Sequence, residues 1–409
     1  MVVEPTSEDI GKNLLAFRHR RGLSQDQVGS AAGISRTYVS HLESGRRSFE
    51  KRGLLERLAQ ALSCSVTDLT GQPYPAGTKD TAEARAAIPP ISRALAEATL
   101  DDVPDFSARP IDQLVKLTRV ANAASANSDY TVAGHELAQL LVELHVHAVT
   151  GTGATPRRAL AALTEACVVA LGTARNFGHL DLAITVGERA REAAARLESP
   201  VLGGFSTMSH AIVLGRIGAH HRAERVTHTA LADLGAVDPD AEDTAPAEAA
   251  GMLHLARAQL AAKQQNPDAD AAMTHIAEAS ALAARTGERR TLHYDFGPAN
   301  TQAWKLSLAV ELGRGPEMAE RITRRSHYEA GLVSADRLAA LHFDLARAFS
   351  QAGGKRDDKA LWHLDRADQT APQRIRHDPV AREVLNALDR RAQHREWRLK
   401  SLKNRIPAG

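Results

Sequence analysis

Aromatic residues are scarce in this 409-residue sequence, at 4% of the total. Strands draw on aromatic and β-branched side chains, so this alanine-rich composition favours closely packed helices over sheets. The two cysteines, Cys64 and Cys167, lie far apart and imply no disulfide framework. No apolar run reaches the ~18 residues that a membrane span needs, and no signal-like pattern opens the chain. We therefore expect a cytoplasmic protein with no membrane partner.

Motifs for catalysis and metal binding are missing as well. His135 and Glu136 begin like a zinc-protease helix, but the second histidine of that motif is absent. Neither cysteine has a histidine or a second cysteine at ligand spacing. We also find no nucleophile, base and orienting group in a recognisable arrangement. We therefore predict no catalytic residue, no metal site, no cofactor and no enzyme activity.

Charge is concentrated at the N-terminus, although the net charge is only +2. Between Lys12 and Arg57 there are ten basic and four acidic residues, a surplus suited to neutralising DNA phosphates. A chain of this length exceeds one compact core of ordinary size, so we expect at least two structural units. The basic segment belongs to the first of them.

The N-terminal unit, residues 7–70, is predicted to hold five short helices. Ser24 and Ser35 are suited to cap the second and third helices, and Gly33 is suited to end the second in a left-handed turn. Two short helices joined through glycine form a helix-turn-helix unit. The segments RxxRGLSQxxV, AAGISxxYVSxLExGRR and LxxLAxAL resemble the XRE-type, phage-repressor-like DNA-binding domain in order and spacing. A generic bundle of capped short helices is the alternative.

The third helix of this unit, residues 35–44, is expected to enter the major groove of duplex DNA. Its outward side chains are the candidates for contacts with bases: Arg36, Thr37, Ser40 and His41. The candidates for contacts with the DNA backbone, some of them implied by the resemblance, are Gln25, Tyr38, Ser44, Arg46 and Arg47. For Tyr38, packing on the neighbouring helix is an equal alternative.

Two further features of the resemblance concern the structure of the unit itself. Arg18 and Glu43 match an arginine–glutamate pair that joins the first and third helices in this family, so we assign them to the fold rather than to DNA recognition. The family often has proline shortly after the GxR element, whereas this chain has Ser48 and Phe49 there. The entry into the fourth helix is therefore left open.

After a linker at 71–90, rich in proline, glycine and threonine, helical periodicity continues over residues 91–373. Pairs of helices recur there, with a small residue near the start of each second helix. These small residues are Ala183, Ala223, Ala272, Ala319 and Ala360. The region resembles a degenerate tetratricopeptide (TPR) array, although other helical solenoids remain possible. The predicted fold class is all-α, a five-helix repressor-like domain followed by an α-solenoid of TPR-like helix pairs.

A DNA-binding domain on a TPR array resembles the XRE–TPR regulators of actinobacteria and the peptide-sensing quorum regulators of Gram-positive bacteria. The resemblance implies a transcriptional regulator that responds to a peptide or small-molecule ligand on the concave face of the array. The candidate ligand-binding residues are Asn176, His210, Arg216, His254, Arg257, Asn300 and Trp304. For the last two, the alternative is a helix cap and a core residue.

The C-terminal stretch, residues 374–405, holds ten basic and four acidic residues. We interpret it as a capping helix of the array, with a second nucleic-acid contact as the alternative. One DNA-binding module covers only a half-site, so the predicted partner is a palindromic operator in double-stranded DNA, bound by a homodimer. The competing hypothesis is a protein-interaction adaptor, whose array docks a partner and whose DNA binding is secondary.

Overall fold

The computed structural model of the chain describes residues 9–74, 79–392 and 397–406. Within these ranges the regular elements are helices, and an isolated β-bridge joins Arg289 to Phe296. The predicted all-α class is confirmed. None of the helices in these ranges combines the length and the apolarity that crossing a bilayer requires. The start of the predicted unit 7–70, four residues of the linker and four of the C-terminal stretch lie outside the described residues.

Five short helices form the N-terminal unit, which we call the head. They are α1 (Ile10–Arg20), α2 (Gln25–Ala32), α3 (Arg36–Glu43), α4 (Arg52–Ala61) and α5 (Val66–Thr70). The Ser24 hydroxyl accepts the Gln27 backbone N–H at 3.2 Å, and the Gln27 side-chain oxygen accepts the Ser24 N–H at 2.8 Å. Gly33 ends α2 with a φ of 68°, where another residue would be strained. The five predicted helices and these two helix ends are confirmed.

The helices after the head form a second unit, which we call the array. The first of these are α6 (Lys79–Ala86), α7 (Ile88–Glu97), α8 (Ile111–Ala126), α9 (Tyr130–Gly134), α10 (Leu137–Thr150) and α11 (Thr155–Asn176). Next come α12 (Leu180–Arg196), α13 (Pro200–Arg216), α14 (His220–Leu234), α15 (Ala245–Lys263), α16 (Ala269–Thr286), α17 (Pro298–Glu311) and α18 (Gly315–Thr323). The last are α19 (Ala335–Ala352), α20 (Asp357–Thr370), α21 (Pro372–Ile375), α22 (Pro379–Arg391) and α23 (Trp397–Arg405). The stretch proposed as a linker thus contains α6 and the start of α7.

From α11 to α20 the array alternates inner and outer helices. The inner helices are α11, α13, α15, α17 and α19, and each is followed by an antiparallel outer helix after a short turn. The small residues noted in the sequence lie at the starts of the outer helices, and all are fully buried: Ala183, Ala223, Ala272, Ala319 and Ala360. Their small size lets the helices of each pair approach closely. Since every inner helix points the same way, the C-terminal ends of the inner helices lie on one side of the array.

The array curves until helices from its two ends meet. The Ser128 hydroxyl, just after α8, donates to the carboxylate of Asp336 on α19 at 3.3 Å. The backbone N–H of Tyr130 donates to the side-chain oxygen of Gln373 at 2.7 Å. The curvature produces a concave surface lined by α8 and the inner helices.

The C-terminal helices extend the apolar core of the head. Leu14 and Leu58 of the head belong to the same buried cluster as Leu385 of α22. The prediction of one capping helix over 374–405 needs correction, because the stretch divides into the end of α21, α22 and α23. Pro379 is the first residue of α22, a position where proline is tolerated but where it cannot continue a preceding helix.

Gly251 is required by close packing in the array, and Gly203 offers a matched control. A Cβ at Gly251 on α15 would lie 2.1 Å from the ring of Phe296, whereas a Cβ at Gly203 on α13 would meet open space. We expect Gly251→Ala to lower the free energy of unfolding by about 1–3 kcal/mol through overpacking. Gly203→Ala should raise it by about 0.5–1 kcal/mol through helix propensity. Denaturant unfolding followed by circular dichroism measures both changes, and equal changes would contradict this packing.

Candidate DNA-binding surface and ligand cleft

Helix α3 has one face in the core of the head and the opposite face open. Val39 and Leu42 are fully buried, and the Ser35 hydroxyl caps the helix by accepting the Tyr38 N–H at 3.2 Å. The predicted base-contact residues lie on the open face, where Arg36 and Thr37 are exposed and Ser40 and His41 are half-buried. The helix is therefore held from inside while its polar side chains remain available to a partner.

The carboxylate of Glu43 joins three helices of the head. It accepts the Nε of Arg18 at 2.5 Å and a terminal nitrogen of Arg18 at 3.0 Å, a bidentate pair between α1 and α3. It also accepts the side-chain amide of Gln25, the first residue of α2, at 2.8 Å. This hydrogen bond lets Gln25 brace α3, and the expected contact of Gln25 with a DNA phosphate stays a prediction.

The other predicted backbone-contact residues surround the open face of α3. The ring of Tyr38 packs against the apolar core of the head, and burial raises the pKa of its phenol. The guanidinium of Arg47 lies over that ring, 5.8 Å from its centroid. The Ser44 hydroxyl donates to the carbonyl of His41 at 3.3 Å. Ser44, Arg46 and Arg47 are exposed, so a basic rim lies directly beyond the end of α3.

The N-terminus of α4 attaches the head to the array. The backbone N–H groups of Arg52 and Gly53 donate to the two carboxylate oxygens of Glu311 on α17, at 3.1 Å each. Lys51 at the cap position makes no side-chain cap, so this carboxylate serves as the acceptor for the helix end. Burial alone would raise the pKa of Glu311, but the charge of Arg347 and the hydrogen bonds outweigh it and hold the pKa at about 2.

Further contacts hold the head without covering α3. Arg347 Nε donates to the carbonyl of Glu50 at 2.8 Å, and the Ser350 hydroxyl donates to the Glu50 carboxylate at 2.9 Å. The side-chain amide of Gln265 donates to the carbonyl of Ala31 at 2.9 Å. These contacts use the end of α2 and the segment before α4. In the described ranges, no hydrogen bond or ion pair joins the array to the open face of α3.

The inner helices and α8 enclose an open cleft of about 1470 Å³, solvent included. Apolar side chains from the middle turns of α13 and α15 line it: Met208, Ile212, Met252 and Leu255. Four predicted ligand residues also line it: Asn176, Arg216, Asn300 and Trp304. The side-chain oxygen of Asn300 accepts Arg337 Nε at 2.8 Å, and the Arg337 guanidinium lies 5.5 Å from the centroid of Trp304. Arg52 of the head lines the same cleft, so the head contributes to its wall.

Comparison with known proteins identifies the head. The helix-turn-helix domain family matches residues 9–70. The uncharacterized HTH-type transcriptional regulator y4dJ of Sinorhizobium fredii is 42% identical over 60 residues, which are 15% of this chain and 77% of that protein. The HTH-type transcriptional repressor RghR of Bacillus subtilis is 30% identical over 101 residues, which are 24% of this chain and 73% of that protein. The chain belongs to the helix-turn-helix transcriptional regulators.

Regulators of this family bind DNA, so DNA binding is the function of the head. Among solved structures, Bacillus thuringiensis PlcR in complex with the peptide PapR7 and DNA is similar to this regulator at 15% sequence identity. The match covers 68% of this regulator and 94% of PlcR, with a TM-score of 0.27. At that score the likeness supports no inference about the ligand. In the described part of the regulator, no group of three or more His, Cys, Asp and Glu side chains could hold a metal ion.

Three predicted ligand residues lie outside the cleft of the regulator. His210 is fully buried, with its Nε2 3.2 Å from the Glu188 carboxylate on α12. The Nδ1 of His254 lies 3.1 Å from the Nδ1 of His275 on α16. Arg257, three residues after His254, does not line the cleft either. The two histidines contact outer helices, which corrects the prediction that these three residues line the concave face.

Ion pairs within the regulator occupy many of its C-terminal cations. Arg376 Nε lies 2.7 Å from Asp368, which also pairs with Arg405. Lys403 Nζ lies 2.6 Å from Asp389. Cations neutralised by the array's own carboxylates are poorly placed to bind phosphates. These ion pairs leave fewer cations of this stretch available to a nucleic acid, and its capping role stays a prediction.

Removal of the Glu311 carboxylate tests the junction between head and array. Glu311→Ala takes the acceptor from two α4 amides and leaves the buried Arg347 short of one partner, so we expect the free energy of unfolding to fall by about 3 kcal/mol. Hydrogen exchange at the Arg52 and Gly53 amides should also become faster. Glu317→Ala, which removes an exposed carboxylate from α18, should change the unfolding free energy by less than about 0.5 kcal/mol. Equal losses in denaturant unfolding would contradict the assignment.

Glu383 on α22 should give the stability a pH dependence. Burial raises the pKa of this carboxyl from 4.5 to about 7. Folding therefore favours the protonated form, and this contribution is complete below pH 4.5 and lost as the pH rises through about 7. Glu383→Gln, which is uncharged at every pH, should gain stability relative to the parent chain between pH 5 and pH 8. Denaturant unfolding at the two pH values measures the gain, and a difference that does not change with pH would contradict the shift.

Proposed function

We propose that this regulator recognises a specific DNA sequence by placing α3 in the major groove. The observation that supports the proposal best is the two-sided packing of α3. Val39 and Leu42 are fully buried and the Glu43 carboxylate is paired with Arg18, whereas Arg36 and Thr37 are exposed. A rigidly held helix with polar side chains outward suits insertion into the groove, with its N-terminal half against base edges.

The proposed base contacts follow from side-chain chemistry. Arg36 can donate two hydrogen bonds to O6 and N7 of a guanine, and the methyl group of Thr37 can contact the methyl group of a thymine. Ser40 and His41 lie one turn further along and are half-buried, so their contacts would be at the edge of the site. Discrimination among sequences would therefore depend mainly on the first turn of α3.

The proposed backbone contacts come from the rim around α3. Arg46 and Arg47 are exposed cations beyond the end of the helix, and Ser44 adds a hydroxyl. Such groups fix the register of a protein on DNA without selecting a sequence. Tyr38 and Gln25 are proposed as neighbours of the phosphates, although both also stabilise the head itself.

The regulator is proposed to act as a homodimer on a palindromic site, and to respond to a ligand in the cleft. One helix-turn-helix unit spans a half-site, and two copies supply the specificity that a genome requires. The response to a ligand is supported by Arg52, because this residue of α4 lines the cleft formed by the array. A ligand there would contact both units.

Substitutions on and around α3 test the proposed DNA contacts. Arg36→Ala should cost about 1–3 kcal/mol of binding to the operator and relax the preference at one base pair. Arg46→Ala should weaken binding to all sequences and make the salt dependence shallower by about one phosphate contact. Selection from a random DNA library identifies the preferred site, and titration of that site at several salt concentrations measures both effects.

Arg157→Ala is the matched control, because Arg157 is an exposed arginine at the N-terminal end of α11. Its DNA affinity and salt dependence should equal those of the parent chain. The proposal would be contradicted if the library gave no preferred sequence, or if Arg36→Ala and Arg157→Ala behaved alike. A stoichiometric protein partner without sequence preference would favour the adaptor hypothesis.

A further inference from the structure

Three arginines lie close together in the wall of the cleft, beside the docked head. Arg175 lies in the last turn of α11, Arg216 ends α13, and Arg52 begins α4. All three also line a smaller cleft that adjoins the large one. Because the inner helices are parallel, their C-terminal turns bring Arg175 and Arg216 to the side of the array where the head lies.

Arg216 has no carboxylate in direct contact within the described residues. In the described residues its side chain makes no hydrogen bond and has no carboxylate within 4.0 Å. Burial, and then the charges of Arg52 and Arg175, outweigh the more distant carboxylates of Asp378 and Glu56 and lower its pKa from 12.5 to about 9. A guanidinium that loses water without gaining a partner is costly to the fold, which suggests that its partner is a separate molecule.

The two neighbours of Arg216 are only partly neutralised. The Nε of Arg175 is buried and has no hydrogen-bond partner in the structure. Arg52 pairs with Asp378, whose carboxylate also accepts the backbone N–H of Val380 at 2.9 Å as the cap of α22. Of the three guanidinium groups, only that of Arg52 is in an ion pair among the described residues, and its partner Asp378 already caps α22.

We propose that Arg52, Arg175 and Arg216 form a binding site for the anionic group of a ligand, a carboxylate or a phosphate. Arginine presents a planar set of N–H groups that matches either anion bidentately. The apolar side chains of α13 and α15, Met208 and Met252 among them, continue from this site along the cleft. The ligand would therefore carry an anionic group at one end and an apolar part that covers these side chains.

A ligand bound at this site would contact the DNA-binding head directly. Arg175 and Arg216 belong to the array, whereas Arg52 belongs to α4, so a bound anion would bridge the two units. A ligand that binds the docked arrangement more tightly than an undocked one stabilises docking by the difference between the two binding free energies. This inference specifies the chemical class of the ligand in the proposed function. It rests on that function only for the claim that ligand binding regulates DNA binding.

Thermal unfolding of the full chain without DNA tests the site. Sodium phosphate and sodium octanoate are the two probes, each titrated at constant ionic strength with sodium chloride. We expect at least one probe to raise the Tm by about 2 °C or more when it saturates the site. A rise with octanoate alone would identify a carboxylate ligand with an apolar tail, and a rise with phosphate alone would identify a phosphorylated one.

Arg216→Met should remove the probe-induced rise, while it keeps an unbranched apolar stem and relieves the crowding of like charges. Arg257→Met, which changes an arginine of α15 outside the cleft, should leave the rise unchanged. If Arg216→Met fails to fold, Arg175→Met serves in its place. No rise with either probe, or the same rise in the Arg216 and Arg257 variants, would overturn the proposal. DNA is absent from these measurements, so a failure of sequence recognition would leave their result untouched.

Discussion

The first turn of an α-helix has backbone N–H groups that need an acceptor, and at α4 that acceptor comes from another part of the molecule. The carboxylate of Glu311 binds two of these groups at once and is itself balanced by Arg347. Both side chains are buried, so the charge pair is weakly screened and sensitive to displacement. The position of the head depends on this contact, since without it two amides and a guanidinium would be left short of partners away from water.

The same junction connects the position of the head with the state of the cleft. Arg52 donates its backbone N–H to Glu311, pairs through its side chain with Asp378, and lines the cleft. Its positive charge also lowers the pKa of Arg216, which has no carboxylate in direct contact among the described residues. Arg52 of α4 therefore contacts the carboxylate that caps its helix, the last part of the array and the cleft. A ligand does not need a long chain of contacts to influence the head.

The head also holds α3 independently of the array. Glu43 binds Arg18 and Gln25, and these contacts join α3 to α1 and α2. The hydrogen bonds that attach the head use the end of α2 and the segment leading into α4, so docking would be compatible with the proposed DNA contact of α3. A change in docking would alter the orientation of a rigid head rather than the shape of α3.

The sequence by itself determined the helical class, the five helices of the head, the ends at Ser24 and Gly33 and the buried alanines of the array. Those features depend on neighbours within a turn or two, where caps, periodicity and side-chain size act directly. Only the tertiary structure decided that Glu311 caps α4, because the two partners are separated by 259 positions. It also decided which faces of the inner helices turn inward, bringing Arg216 into the cleft and His210 against an outer helix. Periodicity locates a helix, whereas the curvature of the whole array selects the face that becomes concave.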